Sequence, residues 1–237
     1  MSELKGKRSW RTELQRFFRA STSLEAQLYP PLGLDVRFRP YQARDFDSCL
    51  DLYGKNQPGR FPPNDRARFE EYLKRDQKTL IVADCGSRVI ACGGILLVAA
   101  NVGVLCYGLV DPEFQRKRIG AALVLLRIAQ LPDLNEGVIV LIFAVKASMP
   151  VYRRFGFVEQ GKWKSGEAES HPVGVQQVPW ITLRRIKRVL QERGVCVEGG
   201  QMPLHKSEEH ECHVEATGNG YVRVRLERRT ETGVQVT

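Results

Sequence analysis

Residues 110–123 read Val-Asp-Pro-Glu-Phe-Gln-Arg-Lys-Arg-Ile-Gly-Ala-Ala-Leu. An apolar strand ends here, a turn begins at Asp111-Pro112, and a basic loop leads directly into a helix start that contains Gly120. The first turn of a helix exposes unpaired backbone N–H groups and the positive end of the helix dipole, so such a loop can hold a phosphate group. The segment therefore indicates an anion site. A basic solvated turn is the alternative that composition leaves open.

The residues just before this segment form an unusually long uncharged stretch. Residues 89–110 contain no acidic or basic side chain, and a stretch of this length suits a membrane-spanning helix. Glycines at positions 93, 94 and 103 and the asparagine at position 101 divide it into two runs of strand length with a tight connection. We therefore predict two buried strands, with a membrane span as the alternative.

Hydrophobic periodicity extends this assignment along the chain and predicts an α/β (α+β) protein. The predicted strands are residues 36–40, 79–85, 88–98, 102–110, 137–145, 157–161 and 175–183. The predicted helices are residues 8–20, 45–56, 65–76, 119–131, 148–155 and the basic segment 184–194, in which Gly194 ends the helix. Alternation on both sides of Thr-Gly-Asn-Gly at 217–220 predicts a hairpin over residues 213–226.

Two motifs in this order resemble the GNAT superfamily of N-acetyltransferases. The segment DPEFQRKRIGAAL is similar to the acetyl-CoA loop of that family, with Gln115 and Gly120 at the first and last motif positions and Arg118 where the middle glycine is usual. The segment PVYRRFGF at 150–157 resembles the family's tyrosine, three residues, Gly-Phe element. The resemblance covers residues 36–183.

The resemblance implies a particular fold and domain division. We expect a mixed, mostly antiparallel central sheet of about seven strands with a splayed parallel pair, flanked by helices. The GNAT domain would comprise residues 34–183. An N-terminal helical extension would occupy residues 1–33, and a basic helix with a hairpin tail would occupy residues 184–237.

The resemblance also implies which residues form the site. Backbone groups at 109–111 would bind the pantetheine chain, and the N–H groups at 115–120 would hold the pyrophosphate. Tyr152 would protonate the departing thiolate of CoA, because a phenol is a positioned proton donor; packing beside Phe155 and Phe157 is the alternative. The cofactor-binding residues implied in this way are Leu109, Val110, Asp111, Gln115, Arg116, Lys117, Arg118, Ile119, Gly120 and Ala121.

The activity implied is direct transfer of an acetyl group from acetyl-CoA to a primary amine of a small molecule, peptide or protein. The general base is unidentified, since the strand before the loop lacks the carboxylate common in the family and Val145 stands where asparagine is frequent. Tyr107, Asp111 or an ordered water are the options. Cys106 is read as a packing residue rather than an acyl carrier, because no histidine lies near it in sequence.

Other functions on the same fold stay open. One is a non-catalytic CoA-binding module, or a basic module that binds nucleic acid or protein. Another is an acyltransferase that uses a longer acyl-CoA. Acceptor pockets would come from the loops 57–63 and 166–178, where Glu167, Glu169 and His171 would favour a cationic amine.

Composition restricts location and partners. The net charge is +9, and its sharpest concentration is Arg116-Lys117-Arg118, where a CoA pyrophosphate would lie, so a nucleic-acid partner is not favoured. The six cysteines lack CxxC spacing and the N-terminal residues do not read as a secretory signal, which predicts a reducing, cytoplasmic protein.

Two further features are read as structural. The cluster His205, His210, Cys212 and His213 fits no closed zinc pattern, so we predict no metal. The basic helices at 8–20 and 184–194 each carry an apolar stripe and are expected to dock on the domain. The oligomeric state is open, with a homodimer as one option.

Overall fold

The computed structural model describes residues 23–24, 26–27, 32, 34–57, 65–75, 79–86, 88–145, 147–164, 170–204, 206, 210–216 and 222–228. The helices in this part of the chain are α1 (Phe46–Asn56), α2 (Asp65–Lys74), α3 (Ile119–Ala129), α4 (Met149–Arg153) and α5 (Trp180–Glu192). The strands are β1 (Arg37–Pro40), β2 (Leu80–Cys85), β3 (Arg88–Ala99), β4 (Val102–Val110), β5 (Val138–Phe143), β6 (Val158–Lys164), β7 (Ser170–Val178), β8 (His210–Ala216) and β9 (Val222–Arg228).

Seven of these strands form one mixed sheet in the order β1-β2-β3-β4-β5-β7-β6. Strands β4 and β5 are parallel, and every other neighbouring pair is antiparallel. The connection between β4 and β5 contains α3, as a parallel crossover requires. The predicted mixed sheet with one parallel pair is therefore confirmed.

The parallel pair is joined over only half of β4. Its register runs from Val102 opposite Ile139 to Leu105 opposite Ile142, and no pairing follows. On its other side β4 carries a bulge, because Cys92 pairs with Leu109 while Gly94 pairs with Cys106. Two residues of β4 thus oppose one of β3, which bends the bulged strand. We call residues 106–110 the open half of β4.

Each face of the sheet is covered by its own apolar cluster. Helices α3 and α5 cover one face through residues such as Leu123, Leu126 and Ile186. On the other face α1 and α2 cover β2, β3 and β4. Cys212 of β8 packs on the remaining apolar patch of that second face, over β4, β5 and β7. Burial of these apolar surfaces supplies the main driving force for folding.

The uncharged stretch forms β3 and β4 rather than a membrane helix. Among the described residues, no helix combines the length and the apolar character that crossing a bilayer requires. Central strands covered on both faces read as continuous apolar runs, which explains why the stretch resembles a membrane segment in composition.

The structure corrects one element boundary. The strand predicted over 175–183 is wrong in its second half, because β7 ends at Val178 and α5 begins at Trp180. Pro179 between them lacks an N–H for the ladder and suits a helix start. Helix α5 consequently crosses the domain boundary drawn after residue 183. The helix predicted at 8–20 lies outside the described residues, whereas the C-terminal hairpin is present as β8 paired with β9.

Candidate active site

A cavity of about 530 Å³ lies where β4 and β5 part. Its walls come from the open half of β4, the basic loop and first turns of α3, and helix α4 with the residues before it. Four arginines, Arg116, Arg118, Arg127 and Arg154, line it together with Tyr152. The cavity is therefore a cleft with a polar, basic mouth and an apolar interior, which is the usual composition of a cofactor site.

The loop into α3 adopts a conformation suited to an anion. Asp111 begins it, with its carboxylate accepting a hydrogen bond from the Glu113 N–H at 3.1 Å. Arg116 and Arg118 then have φ angles of 61° and 67°, in the left-handed region where glycine is favoured. The glycine usual at the second position is thus replaced by an arginine held in the glycine-like conformation.

Arg118 carries the clearest electrostatic signal in the loop. Its Nε and Nη2 atoms are buried and make no hydrogen bond within the described part of the chain. The first hydrogen bond of α3 runs from the Ala122 N–H to the Arg118 carbonyl, so the preceding N–H groups of the first turn have no helical partner. Buried guanidinium nitrogens and unpartnered amides at one place favour an anion, and a phosphate is chemically suited to both.

The open half of β4 lines the cavity with Gly108 and Val110, and Val110 presents its backbone groups to the gap. The Asp111 N–H donates to the Ile90 carbonyl, so Val110, one residue earlier, turns its own N–H and C=O away from β3 and toward the gap. The Val110 carbonyl accepts hydrogen bonds from Asn56 Nδ2 at 3.1 Å and Gln115 Nε2 at 3.2 Å. Its N–H faces the side where β5 has already departed, and is therefore the strand donor available to a ligand.

Asp111 is held by contacts within the protein at the end of β4. Its N–H is bonded to β3, its carbonyl accepts from the Phe114 N–H, and its side chain is 1% exposed. Lys55 Nζ at 3.1 Å and Arg88 Nη2 at 2.8 Å both contact the carboxylate. Burial acts to raise the pKa of Asp111, but these hydrogen bonds outweigh it, and the pKa lies below its ordinary value. Asp111 anchors the end of β4 and is a poor base.

Tyr152 lies across the gap from β4. Its ring packs edge-on against Phe157 with centroids 5.5 Å apart, and its hydroxyl faces Gly108, at 3.4 Å from where a Cβ there would lie. Within the described residues the hydroxyl makes no hydrogen bond. The ring is thus held by packing while the phenol points at the open half of β4, and the role of Tyr152 as proton donor stays a prediction.

The second face of the sheet, below the same gap, is aromatic. Tyr107 stacks on Phe69 and Tyr72 with ring centroids 4.6 and 5.2 Å apart. Burial raises the pKa of the Tyr107 phenol, which makes it a poor base near neutral pH. Burial also raises the pKa of Asp65, at the start of α2, against the opposing charges of Arg68 and His171. Asp65 is a carboxylate on this face that sequence reasoning missed.

Cys106 is poorly suited to carry an acyl group. Burial raises the pKa of its thiol to about 11, so the nucleophilic thiolate is scarce at neutral pH. The thiol lies under the sheet beside Tyr72, and it would be 2.7 Å from a Cβ added at Gly94. The geometry agrees with reading Cys106 as a packing residue.

The predicted cofactor residues divide into two groups. The cavity is lined by Val110, Gln115, Arg116, Arg118, Gly120, Ala121 and Tyr152. Four predicted residues lie outside its lining: Leu109, Asp111, Lys117 and Ile119. Leu109 is buried under α1 and α2, and Ile119 is buried in the core under α3. The ammonium group of Lys117 lies over the Phe114 ring. Motif matching assigned consecutive residues, whereas alternate ones on a strand or helix point in different directions.

Sequence reasoning also missed several cavity residues, among them Asn56, Arg127 and Arg154. Only Arg127 gave a signal, as the one charged residue inside the apolar run of α3. Among the described residues, no group of three potential metal ligands occurs; His205 of the tail cluster, and Glu167 and Glu169 of the predicted acceptor loop, lie outside them.

This fold is shared with solved acetyltransferases. A protein from Desulfovibrio desulfuricans assigned to the GNAT acetyltransferases superposes with a TM-score of 0.51 at 15% identity, covering 62% of this chain and 99% of the other. Ard1 from Thermoplasma volcanium superposes with a TM-score of 0.51 at 13% identity, covering 60% of this chain and 97% of the other. At such identities the likeness concerns the fold. The comparison with curated protein sequences finds no match.

A match to a protein family gives the class of enzyme as an acyltransferase. Residues 46–157 match the family model described as the Acetyltransferase (GNAT) family. The match runs from α1 to the residue before β6 and includes every element that lines the cavity. The chain thus contains a GNAT-family acetyltransferase domain.

Proposed function

We propose that this protein transfers an acetyl group directly from acetyl-CoA to a primary amine. The observation that carries the proposal is the anion site at the start of α3, which opens into the gap between β4 and β5. A basic mouth with an unpartnered buried guanidinium suits the pyrophosphate of CoA, and the narrow gap beyond it suits the pantetheine chain.

The residues present fit this co-substrate in distinct roles. Arg118 and the first-turn amides of α3 bind phosphate oxygens, with Arg116 and Arg154 adding charge at the same mouth. The Val110 N–H donates to an amide carbonyl of the pantetheine or to the carbonyl where negative charge develops. Acetyl-CoA supplies the acetyl group as a thioester. Tyr152 gives its hydroxyl proton to the leaving sulfur.

We propose that the acceptor amine approaches from the face of α1 and α2. Asp65 is half-buried there, at the start of α2, and its raised pKa shows that water solvates it incompletely. A carboxylate in such a place attracts an ammonium group and can accept its proton. Asp65 thus replaces Asp111 and Tyr107 as our candidate for the group that receives the amine. The acceptor itself is an amine of a small molecule, a peptide or a protein.

Two further parts of the proposal concern organisation and location. The division into residues 1–33, 34–183 and 184–237 is retained, with α5 bridging the second boundary. All six cysteines are unpaired, and this supports a reducing, cytoplasmic compartment.

Calorimetry with acetyl-CoA tests the site independently of the acceptor. We expect the wild-type protein to bind, and Arg118→Ala to lose roughly tenfold to a hundredfold in affinity because charge-assisted hydrogen bonds are removed. Arg153→Ala is the matched control, since Arg153 is an exposed arginine on α4 that pairs with Glu159 and stays outside the cavity. Equal losses of affinity in the two variants would show that only the net charge of the protein matters, and not the position of Arg118.

A CoA-release assay tests turnover. Amines, peptides and aminoglycosides are offered with acetyl-CoA and, in parallel, butyryl-CoA. Release that depends on an amine and prefers acetyl-CoA supports the proposal; preference for the longer chain makes the protein a different acyltransferase. Tight CoA binding without release for any amine identifies the non-catalytic alternative, and no binding at high micromolar concentration contradicts the proposed function altogether.

A further inference from the structure

One arginine is buried inside the apolar layer between α3 and the sheet. Arg127 is 1% exposed, although it sits in a helix whose other inward residues are aliphatic. Its Nε donates to the Leu123 carbonyl at 3.1 Å, and its Nη1 donates to the carbonyls of Gly94 and Cys106 at 3.3 and 3.2 Å. The guanidinium is therefore hydrogen-bonded, but only to neutral partners.

No counter-charge accompanies this cation. Among the described residues, no carboxylate lies within ion-pair distance of Arg127, and its hydrogen bonds are the three just named. A buried charge is costly unless it is paired, because the protein interior solvates it poorly. Carbonyl dipoles and the C-terminal turn of α3 offset part of this cost. A net positive potential is left inside the layer.

The sequence leaves room for the guanidinium at two glycines, one in β3 and one in β4. A Cβ at Gly93 would lie 3.0 Å from the Arg127 Cζ, and a Cβ at Gly108 would lie 3.2 Å from its Nη2. Gly94 supplies one of the accepting carbonyls. Side chains at Gly93 and Gly108 would displace the guanidinium. The position of Arg127 therefore depends on the glycines at the bulge between β3 and β4.

The free edge of this cation faces the gap. Arg127 lines the cavity, and the same point beside Gly108 that is 3.2 Å from its Nη2 is 3.4 Å from the Tyr152 hydroxyl. The two groups therefore lie within about 6.6 Å of each other, the sum of these two distances, on the side of β4 to which a Gly108 side chain would point. Charge that develops in the gap beside Gly108 is close to both a proton donor and a fixed cation.

We infer that Arg127 stabilises the negative charge that forms on sulfur when the acyl–sulfur bond breaks in this gap. The inference rests on the proposed function. The bond between the amine nitrogen and the acetyl carbon forms, and the amine gives up one proton to Asp65 or to water. The carbon–sulfur bond breaks with its electron pair passing to sulfur, the Tyr152 hydroxyl proton neutralises that sulfur, and a proton from solvent restores the phenol. In a low-dielectric wall a preorganised cation favours this charge more than it would in water.

The inference has a consequence for binding alone. A fixed cation beside the sulfur lowers the pKa of the thiol of bound CoA, by about one unit or more for a charge at close range. Thiolate-containing CoA then binds more tightly as pH rises toward the pKa of the free thiol. Desulfo-CoA lacks the sulfur and keeps every other contact, so the affinity ratio of the two ligands isolates this effect from the rest of the site.

Calorimetric titration of both ligands across a pH series is the test, with the wild-type protein, Arg127→Met and Arg127→Lys. We expect the CoA to desulfo-CoA ratio to rise about tenfold per unit of thiol pKa shift in the wild type. This rise with pH should vanish in Arg127→Met and persist in Arg127→Lys. Both variants should bind desulfo-CoA within about threefold of the wild-type affinity, because an interaction with charge on sulfur does not contribute to the binding of a ligand without sulfur. In the release assay Arg127→Met should lose roughly a hundredfold in kcat.

Each other outcome decides against the inference. A ratio independent of pH in the wild type overturns it without any variant, which covers the case in which Arg127→Met does not fold. An unchanged pH dependence in Arg127→Met reduces Arg127 to a brace for the bulge. Failure of desulfo-CoA to bind the wild-type protein contradicts the proposed CoA site itself, and this result is distinct from a site that binds both ligands equally.

Discussion

Two charged side chains are buried at opposite ends of the open half of β4, and they differ in whether groups of opposite charge lie beside them. Asp111, after the last residue of the strand, contacts two cations and a backbone N–H. Arg127, which donates to the Cys106 carbonyl at the start, is hydrogen-bonded to carbonyl groups only. Both are 1% exposed, so burial alone does not distinguish them. The compensated charge serves the fold, whereas the uncompensated one projects its potential into the cavity.

The largest effect should come from the hydroxyl that shares the cavity with Arg127. Tyr152→Phe keeps the ring against Phe157 and removes the proton donor. We expect kcat in the CoA-release assay to fall roughly a hundredfold, which is typical of a lost general acid, with little change in acetyl-CoA affinity.

The thermal midpoint of Tyr152→Phe should match that of the wild type, because the hydroxyl makes no hydrogen bond to the described residues. Unchanged kcat together with an unchanged pH profile would show that Tyr152 only packs. Phe155→Leu, in the buried core nearby, serves as a control that alters stability rather than proton donation.

A substitution of Asp111 should lower the stability of the protein. Asp111→Asn removes the charge that Lys55 and Arg88 share, and we expect a loss of about 2 kcal/mol in the free energy of unfolding, measured in urea. Asp133→Asn removes a half-exposed partner of Lys187 and should cost less than about 0.5 kcal/mol. Equal stability of Asp111→Asn and the wild type would contradict an anchoring role.

The stability difference between the wild type and Asp111→Asn should also depend on pH, in a direction that follows from the lowered pKa of Asp111. Because the pKa of Asp111 is lower in the folded state than in the unfolded chain, its stabilisation is fully present above the unfolded pKa and is lost as pH falls through the folded pKa. The difference in unfolding free energy between wild type and Asp111→Asn should therefore shrink on acidification below the ordinary aspartate range. A difference that stays constant to low pH would contradict the lowered pKa.

The smallest effect concerns the backbone of Arg118. Because its φ of 67° favours glycine, Arg118→Gly should be more stable than Arg118→Ala by about 0.5–1 kcal/mol, although both lose the guanidinium and bind acetyl-CoA equally weakly. Paired urea denaturation and calorimetry measure both quantities. Tighter binding by Arg118→Gly than by the wild type would mean that the loop conformation, rather than the arginine charge, limits affinity.

Much of the fold follows from local sequence pattern, and the exceptions have physical causes. The strand at Val102–Val110 and the helix starting at Ile119 appear where periodicity placed them. The segment at 175–183 was assigned to one strand because its apolar residues suit a strand and a helix start equally. Pro179 decides the boundary, since it cannot donate to the sheet.

The site was predictable where a motif specifies backbone conformation and unpredictable where it depends on packing. Gln115, Gly120 and Tyr152 stand at motif positions and reach the cavity. Asn56 and Arg154 come from elements distant in sequence from the loop, so no local pattern connects them with it. Arg127 stood out as a charge in an apolar helix, but only the three-dimensional structure shows that it lacks a carboxylate partner.

The sequence by itself determined the basic loop that leads into α3, the order of strands and helices along the chain, and the motif that contains Tyr152, because these depend on local conformation and on motifs. Only the tertiary structure decided where β4 leaves β5, since the bulge depends on the pairing of β3 with β4. The tertiary structure also decided which of the two buried charges has partners of opposite charge. Compensation depends on which groups meet in space, and distant parts of the chain supply both the cations around Asp111 and the carbonyls around Arg127.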